Sequence, residues 1–373
     1  MQIAILKEND VNEQRVASTP ETVNQLIRLG GEILIEEGAG YLSGYGDELY
    51  KASGAKIVGR SECLQSNVCL CVRMPPEEDL RKMKEGSILI GILNPYDNKK
   101  LFDELKKNKI TSCCMELIPR ISRAQSMDVL SSQANLAGYK AVIDAAEKFG
   151  KAFPMMMTAA GRINPAKVMI LGVGVAGLQA IATAKRLGAV VSATDVRSAT
   201  KEQVESLGGK FIMVEDEESK EAETAGGYAK EMSEDYKKKQ ASLIAETIAK
   251  QDIVICTALI PGRPAPVLIS EEMVNSMSQG SVIVDLAVEA GGNCPLSKVG
   301  EIVEHNGVKI IGYANVPGRV AKDASSLYSK NILNFLKLII DKEGRNIVID
   351  WNDEIVNSVV LSHEGAIKLE KFL

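Results

Sequence analysis

The chain has 373 residues, of which 45% are apolar and 25% charged, and its net charge is −5. These values predict a globular protein with two domains, and a negative chain without a basic tract argues against nucleic acid as a partner. No apolar run reaches the length of a membrane span, and the N-terminus enters a strand-like run without the pattern of a signal peptide. The seven irregularly spaced cysteines predict reduced thiols that pack in the core, in a cytosolic setting.

Strand-like runs alternate with helical patterns along the first part of the chain. The strands are predicted at Ile3–Leu6, Ile33–Ile35, Lys56–Val58, Val68–Val72, Ile88–Leu93 and Ile110–Cys114, and the helices near 20–29, 46–53, 77–84 and 97–107. Such alternation predicts a parallel sheet that is covered by helices on both faces.

Two long helical patterns indicate where the chain changes domain. A polar connection over 116–130 precedes a helix from about Ser132 to Phe149, and a last long helix is predicted at Lys322–Asp341. The expected fold is α/β, with two Rossmann-like doubly wound parallel-sheet domains joined by long helices. The first domain would comprise 1–130 and 320–373, the second 131–319. A cleft between two such domains is the usual ligand site.

The second domain opens with a strand, a glycine turn and a helix. After the apolar run Val168–Leu171, three glycines follow in Gly-x-Gly-x-x-Gly spacing: Gly172, Gly174 and Gly177. The first glycine allows a tight turn, the second leaves room for a pyrophosphate, and the third lets the helix pack closely on the strand. The helix N-terminus then offers free N–H groups to the phosphates. This pattern predicts a dinucleotide-binding site.

An acidic residue follows at the expected distance. Asp195 ends the next strand-like run, about 20 residues beyond the glycines, where a carboxylate accepts hydrogen bonds from ribose hydroxyls. The same charge repels a 2′-phosphate, so NAD(H) is favoured over NADP(H), although Arg197 weakens this preference. Further strands are predicted at Lys210–Val214, Ile253–Thr257, Ser281–Asp285 and Lys309–Gly312.

A highly charged insertion interrupts the second domain at residues 215–240, with Gly226, Gly227 and Tyr228 at its middle. Loops of this length are uncommon inside a compact α/β unit. Two interpretations remain open: a solvated surface excursion, or a mobile lid that carries an aromatic residue toward a bound ligand.

The sequence offers little acid–base machinery. Only two histidines are present: His305, in a helical pattern before a strand, and His363, near the C-terminus. No cluster has the spacing of a metal site. Hydride transfer from one nicotinamide to another would need no base, since no proton moves at the reacting carbon, and the protein would act by orientation.

Several segments resemble a known family. They include Lys7-Glu8, Arg15-Val16-Ala17, the run from Ile118 to Asp128, and the run from Ser131 to Tyr139. With the glycine turn, these motifs resemble the soluble NAD(H)-binding component, the alpha subunit, of proton-translocating NAD(P) transhydrogenase. The resemblance covers nearly the whole chain and extends to alanine dehydrogenase, which shares the two-domain fold.

The resemblance implies a nicotinamide site in the polar connection, which the residues alone would have assigned to a solvated interdomain loop. In it, Gln125 would hold the carboxamide or face the incoming second cofactor, while Arg120 and Asp128 brace it and Ser131 contacts the same end. Tyr228 would close over NAD(H). The resemblance places the remaining cofactor contacts at Ile121, Ser122, Arg123, Val175, Asp195, Val196, Arg197, Gly227, Gln240 and Leu259.

The resemblance also indicates which of two related activities to expect, transhydrogenation or amino-acid dehydrogenation. Arg73 stands where alanine dehydrogenase has a lysine and cannot serve as a base near neutral pH, and Asn94 stands where it has a histidine. The expected role is therefore to pass hydride from NADH to NADP on a partner subunit. The family implies a homodimer that lies on the cytoplasmic, inner face of the membrane through transmembrane chains that translocate protons. An alanine dehydrogenase-like amino-acid dehydrogenase and a non-catalytic NAD sensor are the alternatives.

Overall fold

The computed structural model describes residues 1–214, 233–260, 262–341 and 346–372. It divides into two compact units: unit 1 contains Met1–Gln133 and Pro317–Leu373, and unit 2 contains Ala134–Val316. Each unit is built on one large, mainly parallel sheet, which confirms the predicted α/β class with two Rossmann-like domains. Within the described residues, no helix combines the length and apolarity needed to cross a membrane.

The described residues contain seventeen strands. In chain order these are β1 (Gln2–Ile5), β2 (Glu32–Glu36), β3 (Lys56–Val58), β4 (Val68–Arg73), β5 (Ile88–Ile92), β6 (Thr111–Cys114), β7 (Met156–Thr158), β8 (Gly161–Ile163), β9 (Lys167–Leu171), β10 (Val190–Thr194), β11 (Lys210–Phe211), β12 (Ile253–Cys256), β13 (Val282–Asp285), β14 (Ile302–His305), β15 (Val308–Ile311), β16 (Val360–His363) and β17 (Ala366–Ile367).

The α-helices of the described residues are α1 (Pro20–Arg28), α2 (Asp47–Ala52), α3 (Arg60–Cys63), α4 (Glu77–Lys82), α5 (Phe102–Lys107), α6 (Val129–Lys148), α7 (Val175–Arg186), α8 (Thr200–Ser206), α9 (Glu234–Ile248), α10 (Glu271–Ser276), α11 (Ala321–Ile339) and α12 (Glu354–Val359). Thr19 and Pro20 begin α1 as the sequence predicts, with Thr19 at the N-cap position and proline in the first turn.

The sheet of unit 1 has the order β17-β16-β6-β5-β4-β1-β2-β3. Strands β1 to β6 are parallel, and β16 joins β6 in the antiparallel direction. The strand order reverses between β1 and β4, and ligands of open α/β sheets bind outside the carboxyl ends of the strands at such a reversal.

The sheet of unit 2 has the order β11-β10-β9-β12-β13-β15-β14, parallel except for β14. Here the order reverses between β9 and β12, which pair with each other in register from Val168 and Ile253 onward. Strands β9 and β12 are lined by fully buried aliphatic residues, as expected for central strands covered on both faces. The carboxyl ends of β9, β10 and β12 therefore form the edge where a ligand is expected.

Three sequence predictions are wrong. His305 lies at the end of strand β14 and not in a helix, because residues 302–305 alternate between the two faces of a strand and pair in the antiparallel direction with β15. The strand predicted at Lys210–Val214 ends at Phe211. The predicted loop at 215–240 is too long at its C-terminal end, because α9 begins at Glu234 with the Ser233 hydroxyl as its N-cap. Residues 215–232, including Gly227 and Tyr228, lie outside the described residues.

All seven cysteines are buried and unpaired. Burial raises the pKa of the Cys69 thiol and of the Cys113 thiol to about 12, so both stay protonated at neutral pH. The thiols therefore contribute to core packing, as the sequence predicts.

Candidate functional site

The glycine turn of unit 2 lies at the carboxyl end of β9. Gly172 has a φ of +95°, a conformation that side chains other than glycine's rarely adopt. A Cβ atom at this position would lie 2.8 Å from Oγ1 of Thr257 and 3.2 Å from the backbone N of Ala258. The Thr257 hydroxyl donates a hydrogen bond to the carbonyl oxygen of Gly172 at 2.9 Å. The turn is thus held by the residue that follows β12.

The other two glycines differ in what surrounds them. Gly174 is the N-cap residue of α7, and a Cβ atom added there would meet no atom within 4 Å. A Cβ atom on Gly177 would overlap the carbonyl oxygen of Gly172 and lie 3.4 Å from the side chain of Ile170. Gly177 therefore allows α7 to pack against the turn, and the space next to Gly174, at the N-cap of the helix, is open. This space suits an anionic group, which the free N–H groups of the first helical turn attract.

Asp195 comes directly after β10 and faces the glycine turn. Its Oδ2 accepts the backbone N–H of Val173 at 2.6 Å and Nη2 of Arg197 at 3.0 Å. Its Oδ1 accepts the backbone N–H and Nε of Arg197, both at 2.9 Å. A carboxylate has about four acceptor positions, so all are occupied in this structure.

The environment of Asp195 keeps its carboxyl group ionised. The side chain is 7% exposed, and burial alone would raise its pKa, but hydrogen bonds from Arg197 and Val173 outweigh burial and hold the pKa below its usual value. A ribose diol would replace some of these donors, with Arg197 as the donor that can rotate away. Asp195 therefore fits the predicted ribose acceptor, and the contact itself stays a prediction.

Exposed apolar side chains follow the strand ends. Val196 is 85% exposed, and Val175 and Leu259 are also exposed. These are three of the predicted cofactor positions, and an apolar rim is typical of ligand sites.

Asn293 is a residue that the sequence analysis missed. It is fully buried in the turn after β13 and donates hydrogen bonds from Nδ2 to the carbonyl oxygens of Ala258 at 3.0 Å and Pro266 at 2.7 Å. It thus fixes both ends of the loop that carries Leu259. Its Oδ1 has no hydrogen-bond partner among the described atoms.

The side-chain amide of Gln240 forms hydrogen bonds with other residues of the protein. Its Oε1 accepts the backbone N–H of Val214 at 2.8 Å, and its Nε2 donates to Oγ1 of Thr194 at 3.2 Å and to the carbonyl of Ile212 at 3.4 Å. This arrangement places α9 next to the carboxyl end of β10, one residue before Asp195. Contact between Gln240 and a cofactor stays a prediction.

The polar segment of unit 1 forms a short 3-10 helix, Ser122–Met127, directly before α6. Arg120, Ser122 and Gln125 are exposed. Among the described residues, the side chains of Arg120 and Gln125 have no hydrogen-bond or ion-pair partner. These two side chains are therefore available to a ligand, whereas the backbone that carries them is ordered by its neighbours.

Arg123 and Asp128 have structural partners. Arg123 forms a two-point ion pair with Asp353, at 2.7 and 3.0 Å, and Asp353 is the N-cap residue of α12. Asp128 accepts the backbone N–H of Ser131 at 2.9 Å and its hydroxyl at 2.6 Å, which caps the start of α6. The structure thus brings Asp128 and Ser131 together and directs Arg123 toward the C-terminal helix.

A second polar cluster lies at the strand-order reversal of unit 1. Glu13 is fully buried and binds Arg15 at two points, both at 2.7 Å, and Nε of Arg73 at 2.9 Å. Burial raises the pKa of Glu13, but the hydrogen bonds of Arg15 and the charges of both arginines lower it to about 2. Glu13 is therefore a permanent anion, and the Arg15 guanidinium, 5% exposed, is committed to it.

Two further carboxyl groups of unit 1 have pKa values that the sequence does not predict, because the shift depends on how deeply each group is buried. Burial raises the pKa of Glu8 and that of Glu116 to about 7. Glu8 accepts the backbone N–H groups of Val72 and Arg73, and Glu116 accepts those of Leu93 and Asn94 at the end of β5. Both groups hold strand ends through backbone hydrogen bonds.

Asn94 has a φ of +44° and donates from Nδ2 to Asp97 at 2.6 Å. With Arg73 it offers no group that accepts a proton near neutral pH. Among the described residues, no group of three or more His, Cys, Asp or Glu side chains could hold a metal ion.

Comparison with known proteins places both domains of the chain in one family. The model of the alanine dehydrogenase/PNT N-terminal domain matches residues 4–137, and that of the C-terminal domain matches residues 141–370.

Individual relatives are similar over nearly the whole chain. A Rhodospirillum rubrum protein, named as the first portion of NAD(P) transhydrogenase subunit alpha, is 57% identical, over 98% of this chain and 97% of its own length. The crystal structure of transhydrogenase from Sinorhizobium meliloti is 50% identical, with a TM-score of 0.91, over 98% of this chain and 100% of that chain. Alanine dehydrogenase from Bacillus subtilis is 30% identical, over 87% of this chain and 82% of its own length.

Proposed function

Because the chain belongs to the alanine dehydrogenase/PNT family, among the NAD(P) transhydrogenase alpha subunits, we propose that it binds NADH and passes the hydride directly to NADP⁺ held on a partner chain. The hydride leaves C4 of one nicotinamide with both electrons of its bond and forms a C–H bond at C4 of the other. NADH becomes NAD⁺ and NADP⁺ becomes NADPH, and no proton is abstracted.

The open space at Gly174 is the observation that carries the nucleotide-binding part of the proposal. A Cβ atom added at Gly174, the N-cap residue of α7, would meet no atom within 4 Å, and the ionised Asp195 lies beside the same turn. The backbone N–H groups of α7 would hold the pyrophosphate, and Asp195 would accept the hydroxyls of the adenosine ribose. The carboxylate also disfavours a 2′-phosphate at this site.

The side chains of unit 1 favour a second nicotinamide over an amino acid as the reaction partner. Oxidation of an amino acid requires a base, most often His or Lys, and Arg73 and Asn94 stand at the corresponding positions. Arg15 is bound to Glu13, so it is not free to hold a substrate carboxylate. Transfer between nicotinamides needs no base and depends on orientation alone.

Arg120 and Gln125 are the groups that we propose for the nicotinamide end of the site. Both are exposed polar side chains without a partner among the described residues, on a turn that the protein holds in place. Gln125 offers an amide donor and an acceptor, which matches a carboxamide. Asp128 and Ser131 would support this turn through the cap of α6.

The proposal extends to the assembly. NADP(H) would be bound by a second chain, and proton translocation would belong to membrane-spanning chains. The protein would act as a homodimer on the inner, cytoplasmic face of the membrane. Family membership supports these points.

The test mixes the purified protein with the NADP(H)-binding component of a transhydrogenase and follows the NADH-dependent reduction of NADP⁺. A parallel reaction contains the protein, alanine and NAD⁺. We expect turnover in the first reaction and none in the second. Alanine oxidation would support an amino-acid dehydrogenase instead, and NADH binding without turnover in either reaction would support an NAD sensor.

A further inference from the structure

The backbone around Gln125 is held from α11, which is distant in sequence. The carbonyl oxygen of Ser126, the residue after Gln125, accepts Nδ2 of Asn331 at 2.8 Å and Nδ2 of Asn334 at 3.2 Å. The carbonyl of Gln125 accepts the backbone N–H of Asp128 at 3.3 Å. The peptide units on both sides of Ser126 therefore have fixed partners, although the side chain of Gln125 has none within the part of the chain that the structure describes.

Asn331 uses both of its polar atoms. Its Oδ1 accepts the hydroxyl of Ser132 at 2.7 Å, while Nδ2 serves Ser126. The side chain is 7% exposed, so water cannot readily replace either bond. Asn331 thus links the 3-10 turn that carries Gln125 to the first turn of α6.

The link continues into the buried core of unit 1. Nε2 of Gln133 donates to the Ser132 hydroxyl at 3.3 Å and to the carbonyl of Ala324 at 3.1 Å. Its Oε1 accepts Nη1 of Arg15 at 2.8 Å, and Arg15 is held by Glu13. Apart from Ser126, which is exposed and takes part through its carbonyl oxygen, every member is buried or half-buried, and such a satisfied network fixes one arrangement of the groups it joins.

We propose that Asn331 is a positioning residue that orients Gln125 for hydride transfer by holding the Ser126 carbonyl. This inference rests on the proposed function, since it assigns Gln125 to the nicotinamide end. Asn331 touches no reacting atom. Asn331 acts through the turn that carries Gln125. Loss of Asn331 should therefore change the geometry of the reactants more than the affinity for NADH.

The first variant is Asn331→Leu, which keeps the side-chain size and removes both polar atoms. We expect the rate of hydride transfer in a single turnover to fall about tenfold or more, because displacements of about 1 Å are that costly in oriented reactions. The dissociation constant for NADH should change by less than about threefold, because the pyrophosphate and ribose contacts lie in unit 2. Equal losses in both quantities would overturn the proposal.

The matched control is Asn334→Ala. Asn334 is half-buried on the same helix and donates to the same carbonyl, but its hydrogen bond is exposed to solvent, where water substitutes for it. We expect transfer rate and NADH affinity within about twofold of the wild type. If Asn331→Leu behaved like this control, Asn331 would have no positioning role.

A double variant distinguishes an effect that acts through Gln125 from a non-specific loss of activity. If Asn331 acts through Gln125, Gln125→Ala combined with Asn331→Leu should transfer hydride at the rate of Gln125→Ala alone, within about twofold. If the double variant lost the product of the two single-variant rate losses, the proposal would be contradicted. If Asn331→Leu does not fold, Ser132→Ala replaces it, because this change removes the partner of Oδ1 and should lower the transfer rate about threefold without weakening NADH binding.

Amide hydrogen exchange tests the contact without any turnover. Backbone amides of residues 122–128 should exchange about tenfold faster in Asn331→Leu than in Asn334→Ala, because the turn opens more often. Equal exchange would refute the inference even in an active enzyme. Failure of the wild type to reduce NADP⁺ would instead refute the proposed function, while the exchange result would still decide whether Asn331 holds the turn.

Discussion

The glycine turn allows nucleotide binding to be tested separately from folding, because Gly174 and Gly177 have opposite surroundings. Each is replaced by alanine, so both variants add the same single methyl group. At Gly174 the methyl group would enter the open space before α7, and at Gly177 it would enter the contact between helix and turn. Only the first change should affect the ligand and leave the fold intact.

The expected magnitudes follow from these contacts. Gly174 has φ −84° and ψ −165°, which alanine adopts without strain, so the free energy of unfolding should change by less than about 1 kcal/mol. The added methyl group would occupy space that the pyrophosphate needs. We expect NADH to bind at least about tenfold more weakly, which corresponds to about 1.4 kcal/mol.

The alanine at Gly177 has a different effect. Its Cβ would overlap the carbonyl oxygen of Gly172, whereas real Cβ atoms essentially never approach another atom within 3.0 Å. The helix must therefore move away from β9, and overpacking of this kind costs about 1–3 kcal/mol or more. We expect a clear loss of unfolding free energy.

The assay combines NADH fluorescence titration with urea unfolding followed by circular dichroism. The expected result is weak binding with wild-type stability for Gly174→Ala and reduced stability for Gly177→Ala. Wild-type affinity for NADH in a folded Gly174→Ala variant would refute the assignment of this turn to the pyrophosphate.

Three further predictions follow from the charges and contacts of the two units. Asp195→Asn should weaken NADH binding about tenfold or more, since it removes a charge-assisted acceptor, and should narrow the preference for NADH over NADPH; unchanged dissociation constants in a titration would contradict this. Gln125→Asn should slow single-turnover transfer much more than it weakens NADH binding, and equal losses would reduce Gln125 to a binding contact. The pKa of Glu8 and that of Glu116 are about 7 in the folded protein against 4.5 in model compounds, so the folded state retains protons that the unfolded state loses as pH rises from 4.5 to 7. The free energy of unfolding should therefore fall by about 2 kcal/mol or more across this window and then level off. Urea titrations read by Trp351, the one tryptophan of the chain, measure it, and constant or rising stability would be the opposite result.

The sequence predicts the glycine turn well because its geometry is set by local sterics. A positive φ at Gly172, the open position at Gly174 and the close approach at Gly177 depend on residues within a few positions and on the adjacent strand. The position of Asp195 beside this turn follows from parallel pairing of β9 and β10. Such features depend on few partners, so a single sequence contains them.

Long-range partners are the features that the sequence could not supply. Arg123 pairs with Asp353, 230 residues away. Gln240 fills its hydrogen bonds with the backbone of Ile212 and Val214 and with the Thr194 hydroxyl. No local pattern distinguishes these side chains from free ligand contacts. The network around Asn331 has the same character, because it joins α11 to a turn 205 residues earlier.

Burial and packing explain the remaining differences between the sequence predictions and the structure. Glu8 reads in the sequence as an ordinary surface acid, yet burial moves its pKa close to neutrality. His305 lies in a short strand at the edge of the sheet, where its alternating pattern is too brief to separate from a helix. These properties depend on what packs above each residue, which only the folded chain determines.

Direct transfer between two nicotinamides is the central claim, and an isotope label tests it most directly. NADH deuterated at the transferred C4 position is incubated with the protein, its NADP(H)-binding partner and NADP⁺ in ordinary water, and the NADPH formed is examined by mass spectrometry. We expect one deuterium in each NADPH, since the hydride does not exchange with solvent. NADPH that carries solvent hydrogen at C4 would contradict it.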